Sequence, residues 1–147
     1  MKTQNIITVK PQGYCGGVLK AIETAKNTRI QYPNKKITIL GNLVHNQYVK
    51  KALQYYSIDT IEDKTKTRYE LLDEINEGIV IFTAHGVSPK VYKKAKDKGL
   101  ILIDASCPFV LQTQKIVKKY LDEDYTIFYT GKNKHPEAES IYTMSDH

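Results

Sequence analysis

Two thiols and three imidazoles are the side chains of this sequence best equipped for chemistry: Cys15, Cys107, His45, His85 and His135. Each sits in a short stretch that also carries glycine or proline: Gly13-Tyr14-Cys15-Gly16-Gly17, Gly41-Asn42-Leu43-Val44-His45-Asn46, Ala84-His85-Gly86-Val87-Ser88-Pro89, Ala105-Ser106-Cys107-Pro108 and Gly131-Lys132-Asn133-Lys134-His135-Pro136-Glu137. Thiolates bind soft metals or attack electrophiles, and imidazoles donate hydrogen bonds to oxyanions, move protons or bind metals. Three familiar devices are excluded. The first stretch has neither the G-x-G-x-x-G nor the P-loop spacing. No arginine follows either cysteine closely enough to grip phosphate as a phosphatase loop does. No C-x-x-C is present, so a compact zinc ribbon is out, and any metal held by both cysteines must be assembled from distant loops.

The elements that position these residues follow from apolar periodicity. Short β-branched runs at 5–10, 36–40, 79–83, 100–104 and 125–130 have the length and composition of buried strands. Between them lie helical stripes: Val18, Ala21, Ile22 and Ala25; Val49, Ala52, Leu53 and Tyr56; Leu71, Leu72 and Ile75; Val91 and Ala95; Val110, Ile116, Val117 and Tyr120. Strand–helix alternation predicts an α/β fold of βαβ units on a largely parallel sheet. In such a sheet the carboxyl ends of the strands share one edge, where ligands bind. The five reactive stretches each follow a predicted strand, so both cysteines and all three histidines are expected along that edge. Pro89, Pro108 and Pro136 suit the first turns of helices, whose free N–H groups favour an anion or a thiolate.

The 147 residues suffice for a core without disulfides or metal, and 41% hydrophobic with 26% charged residues is a globular composition. No apolar run approaches a bilayer span and the start lacks a signal-peptide block, which predicts a cytoplasmic protein with reduced thiols and no membrane partner. The net charge of +6 suits an anionic ligand. Lysines interleaved with eleven tyrosines could also be read as a nucleic-acid surface. Lys90, Lys93, Lys94, Lys96 and Lys98, however, form the solvated face of a helix, and no nucleic-acid partner is expected.

The stretch Gly13-Tyr14-Cys15-Gly16-Gly17-Val18-Leu19-Lys20-Ala21-Ile22 resembles the signature of the 4-hydroxy-3-methylbut-2-enyl diphosphate reductases, the IspH/LytB family. So do Leu43-Val44-His45-Asn46, His85-Gly86-Val87-Ser88-Pro89, Asp104-Ala105-Ser106-Cys107-Pro108 and His135-Pro136-Glu137, in the family's order. The resemblance implies a trefoil of three α/β domains around a 4Fe-4S iron–sulfur cluster, each domain supplying one cysteine. It implies an oxidoreductase of the non-mevalonate isoprenoid pathway, which reductively removes the hydroxyl of an allylic diphosphate to give isopentenyl and dimethylallyl diphosphates. Residue by residue, it makes Cys15 and Cys107 cluster ligands, His45, His85 and His135 substrate-diphosphate contacts, and Glu137 the proton donor. A reduced ferredoxin- or flavodoxin-type protein would supply the electrons.

The third cysteine of the family pattern has no counterpart here. The sequence therefore reads as the amino-terminal part of such a reductase, with a first α/β domain at 1–106 and the start of a second at 107–147. A chain with two of three ligands is expected to hold the cluster poorly and to be incompetent alone. Uncovered apolar residues Val110, Ile116, Val117 and Ile127 would then promote self-association. The alternative is a non-redox diphosphate- or metal-binding α/β module, with zinc on Cys15, Cys107 and a histidine.

Overall fold

A computed structural model describes residues 7–10, 12–132 and 134–145. Its centre is a four-stranded parallel sheet in the order β2-β1-β3-β4, built from β1 (Ile37–Leu40), β2 (Ile58–Ile61), β3 (Ile79–Phe82) and β4 (Ile101–Asp104). Helices α1 (Gly16–Gln31), α2 (Gln47–Tyr55), α3 (Arg68–Leu71), α4 (Pro89–Asp97), α5 (Pro108–Asp122) and α6 (Pro136–Tyr142) complete it, with a single 3₁₀ turn after α3. The α/β class and parallel sheet expected from the sequence are those observed.

Every residue of β1 and β3 is buried, as two-sided coverage of a central parallel strand requires. Ile37, Ile39, Ile79 and Ile81 pack on one face with Ala21, Ala25, Val49 and Leu53 of α1 and α2. Leu40, Val80 and Phe82 pack on the other with Leu71, Leu72, Val91 and Ala95. Alternate residues of one strand thus serve opposite layers. Local signals start the helices: Asn46 accepts from the N–H groups of Tyr48 and Val49, and Thr67 and Glu70 form a reciprocal capping box for α3. No described helix is long and apolar enough to cross a membrane.

The structure corrects the sequence reading at four places. Of the strand predicted at 5–10, residues 5 and 6 lie outside the described part. Residues 7–10 form no strand, leaving Ile7 and Val9 exposed. The run at 125–130 is irregular as well, with Phe128 in solvent. A β-branched run becomes a strand only against a neighbouring ladder, and neither run meets one among the described residues. Conversely, β2 escaped the sequence reading because Asp59 interrupts its apolar pattern. It is an edge strand with only Ile58 buried. Lastly, Val110 is buried rather than uncovered, while Ile116 is half exposed.

Candidate functional site

Backbone pairing continues past the carboxyl ends of β1, β3 and β4. The Ala84 N–H donates to Leu43 O at 3.2 Å and the Cys107 N–H to Ala84 O at 2.9 Å. That row sets the loops bearing His45, His85 and Cys107 side by side. Gly86 turns the chain after His85 with φ of 72°, and a Cβ there would lie 2.9 Å from Val110 Cγ1. A side chain would therefore be both strained and crowded.

His135 reaches the same edge by another route, because the described residues at 125–132 that lead to it form no strand. It is the N-cap of α6, and α6 is docked by polar contacts. Glu139 Oε1 accepts the Arg68 N–H, an orphan donor at the start of α3, at 2.9 Å. Glu139 Oε2 lies 3.4 Å from Arg68 Nη1, with both side chains largely buried. Gln114 Nε2 donates to Val87 O at 3.1 Å and approaches Ser140 O at 3.5 Å, joining α5 to the His85 loop and to α6.

The result is a cluster of three imidazoles. Ring centroids of His45 and His85 are 4.4 Å apart, those of His45 and His135 5.2 Å, and those of His85 and His135 5.5 Å. One nitrogen from each lies within 4.8 Å of the others. His135 Nδ1 accepts the Glu137 N–H at 3.3 Å, so neutral His135 carries its proton on Nε2. That Nε2–H then donates to His45 Nε2, 3.2 Å away. His85 Nε2 is buried and has no hydrogen-bond partner among the described residues.

Burial, the two other rings and the Arg68 guanidinium all oppose protonation of His85, lowering its pKa from 6.5 to about 4. His45 is lowered too, by burial first and then by His135, Arg68 and Lys132, with Glu62 acting the other way. Arg68 itself is 5% exposed, and its Nε has no hydrogen-bond partner among the described residues. The site therefore sets a buried cation beside the imidazoles of His45 and His85, both held toward the neutral form.

The cysteines lie on the same side. Cys15 is the exposed N-cap of α1 and Cys107 the half-buried N-cap of α5, neither side chain capping its own helix. A Cβ on Gly17 would fall 2.7 Å from Cys107 Sγ, so the start of α1, two residues beyond Cys15, runs directly against that sulfur. Tyr14 is tied to the His45 loop, its hydroxyl accepting from Asn46 Nδ2 at 2.9 Å. Among the described residues no group of three metal-ligating side chains includes a cysteine, which leaves the zinc alternative without its mixed site.

A family model described as LytB protein matches residues 6–147. The chain belongs to the LytB family. A 4-hydroxy-3-methylbut-2-enyl diphosphate reductase of Bacillus licheniformis is 45% identical over 136 residues, which are 92% of this chain and 43% of the relative. The corresponding reductase of Listeria monocytogenes is 47% identical over 139 residues, 93% of this chain and 41% of the relative. Among solved structures, the E-1-hydroxy-2-methyl-but-2-enyl-4-diphosphate reductase from Plasmodium falciparum matches with a TM-score of 0.80 at 33% identity, over 92% of this chain and 40% of that one. The chain thus spans under half the length of the relatives it matches.

In this LytB chain the sequence pattern brought out the three histidines and two cysteines but missed Arg68, Glu139 and Gln114, which hold the site from behind. The T-x-x-E pattern of Thr67–Glu70, unused in the sequence reading, is the signal that could have marked the start of α3, and with it Arg68, as a fixed point. Nothing in the sequence paired Arg68 with Glu139 across 71 positions.

Proposed function

We propose that this chain is the amino-terminal portion of an iron–sulfur reductase that converts 4-hydroxy-3-methylbut-2-enyl diphosphate to isopentenyl and dimethylallyl diphosphates, and that it acts in the cytoplasm. The observation that carries the proposal is the convergence of three imidazoles on the sheet edge that also bears both cysteines. His135 has an Nε2–H, its tautomer fixed by the α6 backbone, that would turn from His45 Nε2 to a phosphate oxygen when the diphosphate binds. His85 offers a buried nitrogen whose unmade hydrogen bond a phosphate oxygen would satisfy. His45, exposed between them, completes a three-point grip on the diphosphate.

Glu137 is half-buried two residues after His135, and its N–H is already spent on the ring. Its carboxyl group is left to deliver a proton to the departing hydroxyl, making water the leaving group. Cys15 and Cys107 fit a cluster edge in their chemistry: two sulfurs at helix starts, neither engaged in capping, with the Gly17 backbone close against Cys107 Sγ. They would be two of three protein ligands, in a first domain over 1–106 and a second begun at 107–147. When bound, a 4Fe-4S cluster supplies electrons received from a ferredoxin- or flavodoxin-type donor and a Lewis-acidic iron.

The test is anaerobic reconstitution with iron and sulfide, together with substrate binding by the 147-residue chain. Iron uptake should depend on both cysteines yet stay labile, with little turnover. The allylic diphosphate should bind, and more weakly to His45→Ala. Iron uptake indifferent to Cys15→Ser and Cys107→Ser, or no binding of the diphosphate, overturns the proposal. A stable four-iron cluster with full turnover overturns the incompetence of the chain alone.

A further inference from the structure

Three imidazole nitrogens within 4.8 Å of one another are also the donor set of a zinc or cobalt site. What the cluster does with that set depends on the charges around it, which come from four elements. Arg68 at the start of α3 lies against both histidine loops, its Nη2 3.5 Å from Thr83 Oγ1, two residues before His85, and its Nη1 3.4 Å from Pro136 O, next to His135; its charge acts on both His45 and His85. Lys132, in the loop before α6, is a second positive neighbour of His45. Glu62, after β2, opposes them at His45 but is held by Lys50 Nζ at 3.1 Å and Asn42 Nδ2 at 2.6 Å. Glu139 of α6 is committed to Arg68, taking its N–H and lying 3.4 Å from its Nη1.

Arg68 is placed to be more than a strut. Its guanidinium is buried, and it retains an Nε–H with no partner among the described residues. Burial pulls its pKa down while Glu139 opposes that, and an arginine at such a site remains a cation. A fixed positive charge beside neutral nitrogens repels an incoming divalent cation and attracts an oxyanion. The His135 cap points the same way. Binding a metal through Nε2 would require that nitrogen to give up its proton and would set Nδ1–H against the Glu137 N–H.

We propose that Arg68 is the residue that fixes the specificity of the histidine cluster, making a potential transition-metal site into an oxyanion site, and that it does so by charge while its Glu139 contact holds His135 in place. This rests on the oxyanion reading of the cluster given above. Arg68 acts through the histidines and the field between them, as a positioning residue.

The experiment measures two probes on the full chain: inorganic diphosphate by calorimetry, and Co²⁺ by its visible ligand-field bands. The unsubstituted chain should bind diphosphate and show no bands of three-histidine Co²⁺. Arg68→Gln should weaken diphosphate about tenfold or more and strengthen Co²⁺ by a similar factor, as loss of a nearby unit charge in a partly screened site implies. A structural defect alone loses affinity for both probes, so the gain for Co²⁺ separates the two. Arg68→Lys, which keeps charge without the guanidinium fork, should retain the diphosphate preference.

If Arg68→Gln fails to fold, the unsubstituted chain still decides. Tight Co²⁺ binding with histidine bands overturns the inference, and their absence beside diphosphate binding supports it. Diphosphate binding unchanged in a folded Arg68→Gln chain overturns this inference and leaves the proposed function standing. No diphosphate binding by the unsubstituted chain overturns both.

Discussion

His85 should make the protein acid-labile in a window where carboxylates are silent. Its pKa lies at about 4 in the folded chain against 6.5 when exposed, because burial, the neighbouring rings and Arg68 all disfavour the charged form. As pH falls below 6.5, the unfolded chain takes up a proton that the folded chain refuses. The stability contributed by neutral His85 is therefore intact above 6.5 and drains away toward 4. Going from about pH 7.5 to about pH 5, that one proton is worth a ceiling of about 2 kcal/mol. Partial exposure of the ring screens it, and about 1 kcal/mol is the expected loss.

At an m-value of about 2 kcal/mol/M, the urea midpoint should fall by about 0.5 M over this range. His85→Phe removes the titration while keeping a flat ring, and it deletes a nitrogen that has no partner. It should match the parent near neutrality and flatten the acid slope, leaving the smaller effect of His45. An acid slope in His85→Phe as steep as in the parent, or a ring titration above about pH 6 by proton NMR, refutes the reasoning.

Three further outcomes follow from other contacts. Glu139→Gln leaves the Arg68 guanidinium buried beside a neutral amide and should cost about 2–4 kcal/mol in urea unfolding; a loss under about 0.5 kcal/mol would mean that the pair does not hold α6. Asn46→Ala removes the α2 cap and the bond to the Tyr14 hydroxyl, for about 1 kcal/mol, and an unchanged thermal midpoint would refute the cap's contribution. Gly17→Ala must displace Cys107 Sγ, so the alkylation rate of Cys107 should change while that of Cys15 does not; equal rates before and after would refute the close approach.

The fold was legible wherever period and neighbours agreed. β1, β3 and β4 lie within the predicted runs at 36–40, 79–83 and 100–104, and the stripes on α1, α2 and α4 bury Ala21, Ala25, Val49, Leu53, Val91 and Ala95. Failures occurred where composition and neighbourhood parted. Ile7, Val9 and Phe128 have strand-like side chains but face solvent, whereas Ile58-Asp59-Thr60-Ile61 carries a charge and still pairs, because the exposed edge of β1 accepts it. Of the site, residue types that suggest chemistry were visible at once. The buried ion pair behind them was not, since Arg68 and Glu139 read in sequence as two ordinary surface charges.

The same contrast explains how His135 comes to the cluster. Sequence reasoning delivered it by a fifth strand; the structure delivers it by α6, whose seven residues are anchored to α3 by Arg68–Glu139 and tied to α5 by Gln114. A histidine held on a strand end inherits the rigidity of the whole sheet, as His45 and His85 do. A histidine held through one ion pair, an amide and the buried Ala138 and Ile141 of a short helix inherits only theirs. Weakening α6 should therefore remove the third imidazole while leaving the other two in register. In Glu139→Gln, the ring resonances of His135 should shift toward those of an exposed histidine, and the His45 Nε2 lone pair should lose its donor. Retention of the His45–His135 contact by NMR in that variant would show that the loop before α6, and not its docking, sets the geometry of the cluster.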